Sequence, residues 1–346
     1  MRELFLRFMW RFNGPDIVRL FLIVFISLNV LTFALFWLDK RKAIKNKENE
    51  SVLIFFSLFL GGIGSFLAMK LLKHKNNKTK FKILVSVGLV IALVPVIHVI
   101  HGLTLGRIIY FNEITFYSDA WPAELNGYKI AFITDKHTIS DERMAEVIKE
   151  LNERNINLLL LGGDFSMEND HYRGTLREIS KAITTDGIAG VEGNHDNYAK
   201  LFAKKEELGI TVLNNNGIRI HENFFLAGVH DMWNRNPNIE EAIQEARGDD
   251  FILLISHNPD VSMRQNTQNT NLILSGHTHG GHITFFGWPF FLHLRTITAY
   301  GTRFAHGFAY SRDNTPVFTS SGVGDYDWLR TFNRPEVVIF TMQTNP

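Results

Sequence analysis

Leu272-Ile273-Leu274-Ser275-Gly276-His277-Thr278-His279-Gly280-Gly281-His282 is the stretch around which the rest of the chain can be read. Its apolar start suits a buried strand, and the glycines let the backbone turn sharply once the strand ends. Two histidines at i and i+2 in such a turn can point into one cavity, and neutral imidazole is the commonest protein ligand for transition metals. Taken alone, the pair fits half of a metal site and equally a polar turn of satisfied histidines. Four stretches upstream decide between them.

Each follows a short apolar run. After Ile130-Ala131-Phe132-Ile133 come Thr134-Asp135-Lys136-His137, and after Leu158–Leu161 come Gly162-Gly163-Asp164. After Gly187–Val191 come Glu192-Gly193-Asn194-His195-Asp196, and after Phe251–Ile255 come Ser256-His257-Asn258-Pro259-Asp260. In open α/β sheets ligands sit outside the carboxyl ends of the strands. Singly, Asp135 suits a helix cap, Asp164 a turn, Asn194 a left-handed turn position and His257 a hydrogen-bonded turn. All of them in this order argue for one site. Between the strands, Ser140 is placed to cap a helix with Asp141 and Glu142 in its first turn and Met144, Val147, Ile148 and Leu151 along one face. The stretch from Ile283 to Met342 is rich in strand patterns and turns. An α/β sandwich with two facing sheets fits this order of elements.

The set Asp-x-His, Gly-Asp, Gly-Asn-His-Asp, a lone His and Gly-His-x-His resembles the calcineurin-like metallophosphoesterase family over roughly residues 125–345. Within it, Gly-His-Thr-His-Gly-Gly is similar to the final motif of the membrane-associated YkuE/YaeI-type bacterial branch. The resemblance implies an αββα sandwich, two β-sheets flanked by helices, and a metal-dependent phosphoric ester hydrolase. It implies two divalent ions, one on Asp135, His137, Asp164 and His279 and the other on Asp164, Asn194, His257 and His277, with Asp164 bridging. Ligation by imidazole, carboxylate and amide without thiolate suits Mn, Fe or Zn rather than calcium. His195 would bind the phosphoryl oxygen or protonate the leaving alkoxide, and Asp196 would orient its ring. Two positions depart from the pattern: Lys136 fills the variable position of the first motif, and His282 stands where the branch has Gln. Of the other histidines, His171, His221, His293 and His306 read as surface or packing residues, and His230 as a candidate to line the pocket.

The chain has 346 residues, room for two or three domains, and no cysteine, which excludes disulfides, thiolate metal sites and a cysteinyl-phosphate mechanism. Its net charge of +1 conceals a split: residues 1–118 hold sixteen Lys/Arg against six Asp/Glu, and the remainder holds twenty against twenty-nine. The acidic second part argues against nucleic acid as a partner, because such binding needs Lys and Arg on phosphates.

In the basic part, residues 20–38, 52–69 and 83–106 are apolar runs of membrane-spanning length, flanked by basic clusters. They predict a membrane domain of three transmembrane helices over 1–106, then a linker and edge strand over 107–128 and the metallophosphoesterase domain over 129–346. Gly61, Gly62 and Gly64 permit close helix contact, Asn29 and Thr32 can hydrogen-bond between helices, and His98 and His101 read as interfacial. Phe36-Trp37-Leu38-Asp39-Lys40-Arg41-Lys42-Ala43, Gly61-Gly62, Ala68-Met69 and Lys73-His74-Lys75 with Lys78 and Phe81 resemble a family of small bacterial membrane domains of unassigned function. With three crossings, ten inner positive residues (Arg2, Arg7, Arg11, Arg19, Lys70, Lys73, Lys75, Lys78, Lys80 and Lys82) face six outer ones (Lys40, Arg41, Lys42, Lys45, Lys47 and Arg107). The expectation is a multi-pass cell-membrane protein with its catalytic domain on the outer face.

Phe285, Phe286, Trp288, Phe290 and Phe291 follow the two histidines closely. They make membrane lipids a candidate partner and a lipid-linked phosphoester a candidate substrate. Two other functions compete with a phosphodiester or phosphomonoester hydrolase: a pyrophosphatase acting on a nucleotide–lipid intermediate, and a catalytically idle, metal-bound docking module.

Overall fold

The computed structural model describes residues 14–43, 50–165, 172–196, 208–233, 235–289, 297–324 and 330–346. His171, His293, Phe290, Phe291, Leu292, Arg2, Arg7, Arg11, Lys45 and Lys47 lie outside these. The chain divides into two units, Met1–Thr104 and Leu105–Pro346.

The first unit contains α1 (Gly14–Ala43), α2 (Glu50–Leu58), α3 (Gly62–Leu72) and α4 (Thr79–Leu103). Two stretches, Arg19–Lys42 and Thr79–Arg107, are long and apolar enough to cross a membrane. The run 52–69, expected as a third continuous span, is instead two short helices joined by a turn in which Leu60 has φ 62°. At 1.5 Å per residue they are about 14 and 17 Å long, well short of the roughly 30 Å hydrocarbon. The amide of Asn29 accounts for the break. Its Nδ2 donates to Leu60 O (3.0 Å) and its Oδ1 accepts from Gly64 N (2.8 Å), which satisfies backbone groups that a turn would leave bare. A Cβ on Gly64 would lie 2.0 Å from Asn29 O, so only glycine permits this approach.

Both outer ends of the α2–α3 hairpin return to the C-terminal end of α1. Lys40 Nζ donates to Leu72 O (2.7 Å), His74 Nε2 lies 2.9 Å from Asp39 Oδ2, and Lys75 Nζ stands between Asp39 Oδ2 (3.5 Å) and Glu50 Oε1 (3.1 Å). The start of α4 lies there too, with the Phe81 ring 6.0 Å from that of Phe36.

The second unit holds fourteen described strands. One sheet runs β1 (Tyr110–Tyr117), β14 (Glu336–Gln343), β2 (Tyr128–Ile133), β3 (Leu158–Leu161), β4 (Ile188–Gly190), β5 (Ile210–Val212). The other runs β12 (Gly307–Tyr310), β13 (Pro316–Thr319), β9 (Leu272–Ser275), β8 (Phe251–Ile255), β7 (Phe224–Gly228), β6 (Asn216–His221). β10 (Thr284–Phe285) and β11 (Trp288–Pro289) form a separate ribbon. β1 lies at an edge, parallel to β14.

Strand side chains alternate between faces, and β2 shows the result. Ile130 and Phe132 enter a core with Leu158, Leu226, Leu253, Leu272 and Phe318, drawn from both sheets. Ala131 and Ile133 face outward and pack with Met144, Val147, Ile148 and Leu151 of α5 (Asp141–Asn152). On the far side of the second sheet, Leu254 and Ile273 pack against Ile239 and Ala242 of α6 (Ile239–Ala242) and Val261 of α7 (Val261–Arg264). These layers are the expected αββα sandwich. Ser140 caps α5 as its sequence indicates, its Oγ accepting from Arg143 N (3.3 Å).

Candidate metal centre

The parallel pairings β2–β3–β4 and β7–β8–β9 bring the carboxyl ends of the motif-bearing strands to one side of the sandwich. Two triads with ligand atoms mutually within 4.8 Å result, Asp135/His137/His279 and Asp164/His257/His277, all buried. In the first, His137 Nε2 lies 3.1 Å from His279 Nε2, and His279 Nε2 lies 3.4 Å from Asp135 Oδ1. In the second, His257 Nε2 lies 3.1 Å from Asp164 Oδ2 and 3.2 Å from Asn194 Oδ1, with His277 Nδ1 3.3 Å away. Asp164 Oδ2 is also 3.6 Å from His137 Nε2, so one carboxylate oxygen stands between the triads.

Backbone strain accompanies this convergence. Asp135, His137, Asp164, His277 and His279 all have positive φ, from 41° to 69°. Non-glycine residues hold such conformations where surrounding structure over-determines them, and they cluster at functional sites. Here the turns are pinned by hydrogen bonds. Asp135 accepts from His277 N at 3.1 and 3.0 Å and from Thr134 Oγ1 at 2.8 Å, and Asp164 Oδ1 accepts from His195 N at 2.8 Å. A Cβ on Gly193 would sit 2.0 Å from Asp164 Oδ1, which makes glycine obligatory there.

Ring orientation is set by backbone carbonyls. His257 Nδ1 donates to Gly162 O (2.7 Å) and His277 Nε2 to Ile297 O (3.2 Å). These bonds fix which nitrogen keeps its proton, so that in the neutral rings His257 Nε2 and His277 Nδ1 carry lone pairs that face one point beside Asp164.

Burial dominates the electrostatics. It holds His137 and His277 down to about 3 and His279 well below the ordinary value, so these rings are neutral at pH 7, the form that binds metals. Burial also pushes Asp135 up to about 7, with Asp164 adding to the rise and His257 opposing it. Burial alone would raise Asp164, but the charge and hydrogen bond of His257, with His137 and His195, hold it well below the carboxylate range. His257 is raised in return, Asp164 outweighing the effect of its burial. A buried cluster of imidazole and carboxylate donors facing one another fits cations, which would take the place of the proton His257 and Asp164 share.

The remaining sequence candidates fall into place unevenly. The His195 ring is 5.3 Å from that of His137. Asp196, expected to orient the His195 ring, accepts from the backbone N–H groups of Asp164 (2.7 Å), Phe165 (2.8 Å) and Gly193 (2.9 Å), which fixes the Asp164 turn. Lys136 is buried, 3.9 Å from Asp141. The His282 ring lies 5.7 Å from that of His279. His221 pairs with Asp186 (3.1 Å) and His306 with Glu336 (3.0 Å), as packing residues.

Two residues escaped the sequence reading. Arg330, 1% exposed, donates to Ser321 O (2.7 Å) and Gly324 O, and its Nη2 lies 3.4 Å from His279 Nδ1. Nothing local marks it, because its partners are nine, six and fifty-one residues away. Trp233, 55% exposed, sets its ring edge-on to His277 at 4.8 Å. Its nearness to His230, already a pocket candidate, was the available signal.

Comparison with known proteins agrees with this geometry. Residues 128–281 match the calcineurin-like phosphoesterase family, and residues 29–81 match a protein family of unknown function, DUF1294. The chain is 26% identical over 242 residues to an uncharacterized metallophosphoesterase of Helicobacter pylori, covering 66% of this chain and 62% of that one. It is 28% identical over 253 residues to the uncharacterized metallophosphoesterase YkuE of Bacillus subtilis, covering 67% and 85%. With the phosphodiesterase YaeI of Escherichia coli it shares 27% over 243 residues, covering 62% and 82%. The chain thus spans less than two thirds of the length of the Helicobacter relative. The family expected from five strand ends holds: residues 128–281 form a calcineurin-like phosphoesterase domain, preceded in the same chain by a DUF1294 domain.

Proposed function

We propose that this chain is a membrane-anchored, dinuclear-metal phosphoesterase that hydrolyses a phosphodiester or phosphomonoester. The carrying observation is the position of Asp164 Oδ2, 3.1 Å from His257 Nε2 and 3.6 Å from His137 Nε2, between two buried triads. Asp135, His137, Asp164 and His279 would hold one divalent ion, and Asp164, Asn194, His257 and His277 the other. Donors of N and O without thiolate suit Mn, Fe or Zn. When bound, such a pair supplies an acidified water and neutralises phosphoryl charge.

The chain's own groups do the rest. The carbonyls of Gly162 and Ile297 hold the tautomers of His257 and His277, and Asp196 holds the turn that carries Asp164. His195, partly exposed beside His137, delivers a proton to the leaving oxygen.

Anchoring rests on α1 and α4, the two stretches of sufficient length. If the α2–α3 hairpin dips in and returns, the chain crosses twice and both termini share a side. The hairpin side then carries eleven Lys/Arg, residues 40, 41, 42, 45, 47, 70, 73, 75, 78, 80 and 82, and the other carries Arg2, Arg7, Arg11, Arg19 and Arg107. Positive loops stay inside, so the catalytic domain faces out, by a wider margin than three crossings allow.

The test of activity is Mn²⁺-dependent release of p-nitrophenol from bis-p-nitrophenyl phosphate by the full chain. Loss of that release in Asp164→Asn is the expected result. Metal-independent release, or none under any of the three metals, would defeat the reading.

A further inference from the structure

One short segment, Arg330–Arg334, links three parts of the domain. At its start Arg330 reaches His279. Next, Thr331 O accepts from both N (3.1 Å) and Oγ1 (2.7 Å) of Thr284, which docks the β10–β11 ribbon. The Phe332 ring lies 4.8 Å from that of Phe286. At its end, Arg334 Nε donates to Ile108 O (3.4 Å) and its guanidinium lies 5.3 Å from the centre of the Tyr110 ring. Ile108 follows Leu103, the last residue of α4, by five residues. Five residues span at most about 17 Å. The metal centre, the ribbon and the point where the apolar helix joins the domain are therefore strung along one edge.

The ribbon itself is unusual for a protein surface. Phe286 and Gly287, with φ 51° and 91°, make the two-residue turn, a conformation that matches strand twist. Thr284 is buried, yet Phe285 is 50% exposed, Phe286 45% and Trp288 79%. From Ile283 to Pro289 there is no charged residue. Leu105, Ile108 and Tyr110 at the domain's entry are exposed as well, with Arg107 and Arg334 beside them. Exposed aromatics flanked by basic residues suit the headgroup region of a bilayer, where Trp is favoured and Arg meets anionic lipid.

We infer that this edge rests on the lipid surface to which α4 tethers the domain, with Trp288 at headgroup depth. The substrate then is an amphipathic phosphoester that reaches the His277/His279 turn from that surface. The substrate half of this inference rests on the phosphoesterase reading; the lipid contact does not.

The test exploits the absence of native cysteine. A nitroxide is placed on full-length Trp288→Cys in nanodiscs of phosphatidylcholine and phosphatidylglycerol. Ile183→Cys, at a position 72% exposed, serves as the aqueous reference. The expected ratio of oxygen to nickel-chelate collisions is about threefold or more higher at 288 than at 183, as for a group held at the bilayer interface. Equal ratios, or dipolar broadening from a second copy packed on the ribbon, would overturn the lipid contact.

In parallel, wild type and Phe286→Ser/Trp288→Ser are compared on hexadecyl p-nitrophenyl phosphate in vesicles and on soluble methyl p-nitrophenyl phosphate. The double variant should lose about tenfold or more on the hexadecyl ester, the scale of removing two buried aromatic contacts, and less than about twofold on the methyl ester. Equal loss on both, or no loss on either, would overturn delivery from the lipid. No hydrolysis of either ester by wild type would instead sink the phosphoesterase reading, and the collision ratio would still decide the lipid contact.

Discussion

His195 donates its backbone N–H to Oδ1 of Asp164 at 2.8 Å, while the other oxygen of that carboxylate faces the imidazoles of His257 and His137. The residue proposed to move a proton and the carboxylate proposed to bridge two ions are thus fixed to each other through the main chain. A side-chain change at His195 leaves that bond intact, so the two roles can be separated.

Asp164→Asn should therefore remove both ions together, since it weakens the one carboxylate oxygen that faces imidazoles of both triads. Activity on a phosphodiester should fall by about 10²–10³-fold or more, the scale for loss of one preorganised electrostatic stabiliser. Metal analysis of the purified chain checks this. Two ions retained per chain would break the bridging assignment.

His195→Ala should behave differently. Metal content stays near that of the parent, and turnover drops by about 10²–10⁴-fold, the range for a positioned acid or base. The defect should shrink for p-nitrophenol relative to an alkyl alcohol leaving group, because the former needs no proton. An equal defect on both would exclude proton donation.

The two-crossing arrangement makes a labelling prediction. With no native cysteine to interfere, Lys42→Cys in intact cells should resist a membrane-impermeant maleimide, while Ser118→Cys should react. Three crossings would expose both positions to the reagent. Reaction at position 42 would show that the α2–α3 hairpin does not return to the side it left.

A pH dependence follows from His306 and Glu336, away from the metal centre. Burial opposes protonation of His306, but the hydrogen bond and charge of Glu336 outweigh it and raise the ring above its usual value. Glu336 is lowered: its burial opposes this, but His306 and the Ser321 N–H prevail. The histidine's contribution is then full below about pH 6.5 and is lost as pH rises through the raised folded value. The carboxylate's contribution is full above its ordinary value of 4.5 and is lost as pH falls through the lowered one. The His306 side chain is 45% exposed, so solvent screening makes its share small. Thermal unfolding of wild type and His306→Gln should differ most between about pH 4.5 and 6.5 and converge at higher pH. A difference that grows above pH 7 would reverse the assignment.

The residues that meet in the two triads were legible in the sequence because each motif is local. Asp135 and His137, Gly193 to Asp196, and His277 and His279 each begin within three residues of a strand's end, and strand ends in such sheets converge by topology. The helix α5 was legible for the same reason, its cap and apolar face lying within a dozen residues. The hydrogen bonds by which Asp196 holds Asp164 and Phe165 were not, since those residues lie thirty-two and thirty-one positions away. Arg330 joins the site across fifty-one residues with no motif of its own. Most plainly, residues 52–69 have the composition of a single span, because hydropathy sums over a window and is blind to direction. Whether that run continues or folds back depends on the amide of Asn29, which meets Leu60 and Gly64 only once the helices pack. Composition and spacing set what this chain can bind. The packing of distant backbone groups sets how its helices run and which side chains hold the binding residues in place.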